Sequence, residues 1–552
     1  MRHLLSVLLL ITFLCSSADC SHTSSPTKKE IENFLNSHKK NPDAILNFKD
    51  HFGEKLVDVD FSGFNMRNAL FEGMTIENAS FNNTVLSNVM LKNTVISNSN
   101  FGDAIVYGGS IIDSKIEDIS LVSSDLNNIN IENSNIHGIT SIKSHLQYLS
   151  VKDSKFGKLI LKNTEIIDGI LEGMTITGAN IRDSNLAEIK ISNSSIMTSV
   201  IAKSDFTRAK LFDTKIDDTL FHTVKLIRSY IHNSEVNDSK FINSDLSGSI
   251  LGNCLVNKMT MTNSNFEYML IDGSNFTNTD FSNTSLEGAH ISNSRFCKSC
   301  LCNLHIQNLT IEASQFFDSE VNNTELYKSE LVDVSFRNTR ISDFSIYNSN
   351  VSDAIFLDVD GQKIKFEHSE LQNSFVQGRF INLDINKSQL SNDQIRDSTL
   401  SLLNMTDSSF TISNIHGTSV DRSSFLMNSL RESSIKKSKI TNSSFSRNSL
   451  GLFDLKDTSF GRSIFLEEIQ YENSASLRQS GAIIGLKELA SIIASGDRDF
   501  RGVNYSNIDF RNTELSNADF TGAVLRGSAF SKHTTRNVKF KDANLEKTTF
   551  EE

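Results

Sequence analysis

Leu56-Val57-Asp58-Val59-Asp60-Phe61-Ser62-Gly63-Phe64-Asn65-Met66 opens a long stretch in which an apolar residue returns at every fifth position. The series runs through Phe71, Ile76, Phe81, Leu86, Leu91, Ile96 and Phe101 to Phe366, Leu371, Val376 and Ile381, and only Ser141 and Gly361 interrupt it. Neither regular element accepts this period. Steps of five turn about 140° around a helix and scatter the apolar residues over its surface, and in a straight strand they alternate between faces. The chain must therefore turn a corner every five residues. A four-sided coil does so, each side sending one apolar centre inward, about 20 residues closing a turn, and turns stacking at the ~4.8 Å spacing of paired strands.

The residues around each centre fit such a coil. Two positions before it, also inward by strand alternation, small residues predominate: Ala69, Ala79, Thr84, Ser99, Ala104, Ser114, Ser124, Ser134, Ala179, Ser184 and Ser204. The positions flanking the centre point outward and are mostly polar, as in Gly178-Ala179-Asn180-Ile181-Arg182-Asp183 and Ala518-Asp519-Phe520-Thr521. This pattern resembles the pentapeptide repeat family over most of the chain. The resemblance implies an all-β solenoid, a right-handed quadrilateral β-helix, here with short helical caps. It also implies one functional alternative, since some members mimic DNA and bind type II topoisomerases.

Ahead of the repeats, Arg2 and His3, the apolar run Leu4 to Leu14 and then Ser16-Ser17-Ala18 read as a cleavable secretory signal, residues 1–18. The apolar run is too short to span a bilayer. Neither Cys15 nor Cys20 carries the small residue pair of a lipobox before it. Residues 19–55 are read as a linker and helical cap, because Ile31, Phe34 and Leu35, and then Ile45, Leu46 and Phe48, take helix-like spacing around Pro42. Such a cap covers the unpaired strand of the first turn.

The main β-helix is expected over residues 56–381. A four-residue step from Ile381 to Ile385 then shortens one side, and the period resumes to Phe465, giving a continuation over 382–465. Residues 466–499 lose the period. Leu486, Leu489, Ala490 and Ile493 take helical spacing before Gly496, predicting a helix from about Ala475 to Ser495. Asp499-Phe500-Arg501-Gly502-Val503-Asn504-Tyr505 then repeats the pattern of Asp60 to Met66, so residues 500–552 read as a second, short β-helix. Its centres from Phe500 to Phe550 are apolar except Thr535. Fewer than three turns bury little apolar surface. The last coil is therefore expected to dock, either on the first β-helix or on a second molecule in a homodimer.

Composition narrows the function. Both prolines, Pro26 and Pro42, precede the first centre, as backbone N–H groups committed to ladder bonding require. The net charge of −12 over 552 residues argues against nonspecific nucleic-acid binding and falls short of a dense acidic mimic of DNA. No HExxH, G-x-S-x-G or P-loop is present; Gly157-Lys158 is followed by Leu159 where a magnesium-binding hydroxyl should stand. Outward carboxylate pairs such as Asp217-Asp218 lie on an open surface without walls to raise a pKa. Sequons such as Asn193-Ser194-Ser195 follow from the repeat composition itself.

Five features of the sequence are candidate sites. Phe276, Phe296, Phe316, Phe336 and Phe356 stand 20 residues apart and read as one column of core rings. Cys297, Cys300 and Cys302, with His305 near, present three outward thiols that either bind a metal, form a disulfide or do neither. Cys254 takes an inward small-residue slot. Asp358-Val359-Asp360-Gly361 with Glu367 distantly resembles part of a calcium loop, but Phe356 holds the first ligand position, and a corner or bulge is the better account. Arg431, Lys436, Lys437, Lys439 and Arg447 make a locally basic outer face spread over several sides. These readings assign no catalytic, cofactor-binding or metal residue. They describe an exported, noncatalytic scaffold whose polar sides bind a protein or other macromolecule.

Overall fold

The computed structural model describes residues 25–426 apart from 40 and 42, residues 498–552 apart from 503 and 504, and, between these, residues 428, 434–441, 443 and 493 with short backbone stretches at 444–446, 449–450, 459–461, 464–466, 470–471 and 483–484. The chain forms two compact units, Met1–Ile166 and Ile167–Glu552. Both are four-sided parallel β-helices.

In the first unit Leu56 lies opposite Ile76, Ile76 opposite Ile96, Ile96 opposite Ile116, Ile116 opposite Ile136 and Ile136 opposite Phe156, so 20 residues close a turn. Corners fall two residues after each centre, where the backbone turns left-handed, with φ of 53° at Asn78, 54° at Asn83, 49° at Asn98 and 51° at Asp103. After glycine, Asn and Asp tolerate this conformation best, which accounts for their recurrence there. Ser141, a polar centre, stays buried because Thr164 Oγ1 lies 3.1 Å from its hydroxyl.

Helix α1 (Lys28–His38) begins at a capping box in which Thr27 and Glu30 satisfy each other's backbone N–H. It buries Ile31, Phe34 and Leu35, and Phe34 packs on Phe48 of helix α2 (Phe48–Phe52) at 5.1 Å. Phe48 in turn stacks on Phe71 at 4.5 Å, so the helices cover the first turn as expected. One part of that expectation is corrected. Leu46–Asn47 is a strand paired with Ala69 and Leu70, and Ile45 is exposed. The Leu46 N–H bonds to Asn68 O, so ladder bonding outweighs helical spacing there.

In the second unit Phe276, Phe296, Phe316, Phe336 and Phe356 stack at 4.8, 4.7, 4.9 and 5.1 Å, all buried. The inward slot two residues before each centre holds more than a small volume. Ser294 Oγ accepts the Ser274 N–H and donates to Ser292 O. Hydroxyls thus satisfy corner N–H groups that the ladder leaves unpaired.

The short side lies earlier than the sequence indicated. Phe356 pairs with Val376, but Val359 pairs with Gly378 and Gly361 with Phe380, so the step of four runs from Val376 to Phe380. Phe380 is the buried centre and Ile381 is half-exposed. The cause is the missing side chain at Gly361: a Cβ there would lie 2.6 Å from Phe380 Cδ1, so the ring occupies the room that an apolar centre would have filled. Gly378 completes the fit, because a Cβ on it would lie 2.3 Å from Val359 O. Packing around the short side is imperfect. An apolar cavity of about 60 Å³ lies among Gly361's neighbours Ile341, Ile364 and Phe380, together with Leu383, Ile385 and Ile395.

A second correction concerns residues 466–499. Gln470–Tyr471 pairs with Ser449 and Leu450, and Ile483–Ile484 pairs with Ile464 and Phe465, so strand persists where the five-residue period ends and where a helix from Ala475 was expected. Ile493 is helical, and the rest of that span lies outside the described residues, as does the expected signal. From Phe500 onward the coil is built by N–H bonds from Phe500 to Asp519, Phe510 to Ala529 and Phe520 to Lys539. Phe500, Phe520 and Phe540 stack in one column and Phe510, Phe530 and Phe550 in another.

Candidate interaction face

A grouping of chemically varied side chains lies on one outer side of the second unit, on strands Cys300–Gln307, Glu320–Tyr327, Arg340–Tyr347 and Ile355–Glu367. Register places His305, Glu325, Ser345 and Lys365 in one outward row and Gln307, Tyr327, Tyr347 and Glu367 in the next. Tyr327 and Tyr347 stack at 4.6 Å, with the His305 ring 4.8 Å from Tyr327 and Lys365 Nζ 5.1 Å above Tyr347. His305 Nδ1 lies 2.9 Å from Glu325 Oε2, and Lys365 Nζ 2.5 Å from Glu367.

These contacts shift titrations in a linked way. The Glu367 bond raises Lys365, and Lys365 in turn lowers Glu367. Partial burial and the neighbouring Glu325 raise the Tyr327 phenol, and burial raises the Asp384 carboxyl beside Lys365. The result is a flat row of stacked phenols edged by charge. Its signal in the sequence is the 20-residue spacing of Tyr327 with Tyr347, which lies outside the inward columns.

Cys300 and Cys302 are joined in a disulfide with Cα atoms 5.5 Å apart. Cys302 shares the outer face with Cys300 and is buried there, its sulfur 4.0 Å from Glu320 O. Cys297 is a half-buried free thiol, and His305 is engaged by Glu325. Cys254 fills its inward slot, where burial pushes the thiol up to about 11 and Sγ donates to Gly252 O. Among the described residues, no group of three or more His, Cys, Asp and Glu is placed to hold a metal ion. Asp358 is a corner at φ 54°, Asp360 lies 3.8 Å from Arg379, and Glu367 bonds Lys365, so these carboxylates spread along a strand. Lys436 and Lys439 stand on different sides with Lys437 at the corner between them, which disperses the basic face; Arg431 and Arg447 lie outside the described residues. No described helix is long and apolar enough to cross a membrane.

A family profile described as Pentapeptide repeats matches eight copies, over residues 55–93, 271–301 and 499–531. No curated protein sequence matches the chain. Among solved structures it is similar to HetL, a pentapeptide repeat protein involved in heterocyst differentiation regulation from the cyanobacterium Nostoc sp. strain PCC 7120, at 12% identity and TM-score 0.27, covering 38% of this chain and 87% of that one. It is also similar to QnrB1, a plasmid-mediated fluoroquinolone resistance protein, at 17% identity and TM-score 0.19, covering 40% and 92%. PfbA, a surface adhesin of Streptococcus pneumoniae, matches at 14% identity and TM-score 0.20, covering 57% and 82%.

Proposed function

We propose that this chain, which carries pentapeptide repeats, works as an exported, noncatalytic scaffold that binds another macromolecule through the polar sides of its coils. The observation that carries this reading is the Tyr327–Tyr347 stack with His305, Glu325, Lys365 and Glu367 around it. Rigid aromatic side chains with a charged rim are the composition of protein-binding hot spots, because they lose little entropy when covered. A β-helix wall holds them in fixed register with no further cost of ordering. Export rests on Arg2, the Leu4 to Leu14 run and Ser16-Ser17-Ala18.

Photo-crosslinking from position 347, with position 330 on a different side as control, tests the proposal. One macromolecule captured from 347 and not from 330, in the exported fraction, is expected. Replacing Tyr347 and Lys365 by Ala should weaken that complex at least tenfold, as loss of a hot spot does. Equal labelling from both sides, or a product confined to the cytoplasm, would overturn it. The same reading extends to the C-terminal coil, where Phe550 is exposed and a second molecule of the chain covers it edge to edge. Light scattering should then give twice the chain mass, and a monomer would remove this part alone.

A further inference from the structure

Hydroxyls in the inward slots perform two tasks at once. Ser374 Oγ accepts the Ala354 N–H at 3.2 Å and donates to Gln372 O at 2.9 Å. Ser413 Oγ accepts the Asp393 N–H and donates to Thr411 O, each at 3.0 Å. Between them in the same column stands Asp393, with no measurable exposure. Its Oδ1 accepts the Ser374 N–H at 2.8 Å, while Oδ2 is buried with no hydrogen-bond partner. Asn428 shows what a planar side chain needs in such a slot: its Oδ1 accepts the Ser408 N–H and its Nδ2 donates to Met405 O. An ionised carboxylate offers two acceptors and no donor. Only the neutral acid reproduces the acceptor and donor pair.

The position of Asp393 adds a second reason. It belongs to the turn that follows the four-residue side, where the strand ladder shrinks to Phe375 with Gln394 and Val376 with Ile395. Ile395, the centre next to Asp393, lines the 60 Å³ cavity and a smaller one of about 30 Å³ beyond it. Burial pushes the Asp393 carboxyl up to about 7, against the pull of the Ser374 and Ser391 backbone. The charged groups of the surrounding strands take no part in this. Arg396 and Asp397 on its own coil, Glu370, Arg379, Asp384 and Lys387 on the coil before, and His416 on the coil after are all exposed or half-exposed.

We propose that Asp393 is a pH-sensitive latch: as the neutral acid it completes the column of hydroxyls and keeps the short coil closed, and on ionisation it releases the coils on either side. The folded carboxyl titrates near 7 against 3.8 for an ordinary one, so the folded state holds the extra proton between these values. Stability from this group is therefore complete below about pH 4 and is lost as pH rises to about 7. Each unit of separation is about tenfold, so the local opening equilibrium should rise roughly a thousandfold across the window.

Hydrogen exchange of the full chain at pH 5 and pH 8, corrected for intrinsic rates, tests this. Segments covering 371–400 should lose protection at pH 8 by at least tenfold more than segments covering 276–340. In D393N the pH dependence should vanish and protection at pH 8 should rise. D393S, which restores the prevailing hydroxyl, should behave alike and guards against a misfit of the amide. Infrared spectra at pH 5 should carry a protonated carboxyl band that D393N lacks. A wild-type chain with no pH-dependent loss in 371–400, or variants that keep it, would overturn the latch.

Discussion

Two stretches of the second unit obey the same repeat and pack differently. Between Phe276 and Phe356 every partner lies 20 residues on, and rings stack at 4.7 to 5.1 Å with interplanar angles no greater than 11°. Between Gly361 and Ile395 one side has four residues, and a ring from the following coil fills the place of a missing centre. A parallel β-helix thus absorbs the loss of one residue when two glycines, Gly361 and Gly378, make room together. It retains a cavity and a buried acid as the residue of that accommodation.

The largest loss of stability is expected in the regular stretch. Phe316→Ala removes a ring stacked on both sides and should cost about 3 to 5 kcal/mol, confined to neighbouring coils. A local unfolding measurement showing less than about 1 kcal/mol would contradict its central place in the column. At the short side, Gly378→Ala drives a Cβ into Val359 O, and overpacking of this kind should cost about 1 to 3 kcal/mol near residues 356–380. Corner glycines such as Gly178, with nothing within 4 Å of an added Cβ, should accept Asn at a few tenths of that. Ser294→Ala strands the Ser274 N–H, but Ala already occupies equivalent slots at Ala289 and Ala354, so about 1 kcal/mol by denaturation of the local coils is the expected size, between the effects at Gly378 and Gly178.

These differences explain what the sequence could disclose. The inward series from Leu56 was legible because a period of five leaves no alternative geometry, and the cap was legible from Phe34 and Phe48. The site of the short side was not, because Phe380 and Ile381 are adjacent and both apolar, and only the ring's fit over Gly361 selects between them. Slot residues are legible by size, while their hydrogen bonding, and hence the anomaly of Asp393, depends on which N–H the preceding coil presents. The tyrosine face escaped notice because outward rows carry no hydrophobic signature. Strand at Ile483 was hidden for a related reason: its partners follow a register of 19 residues, which a search at multiples of five does not detect.

Coils in unbroken register should be the protected part of the second unit and the short side its weak point. Hydrogen exchange on the full chain at neutral pH compares them directly. Residues 361–395 should exchange faster than residues 276–340, since a shortened ladder and a cavity lower the free energy of local opening. Equal protection across both stretches would contradict it.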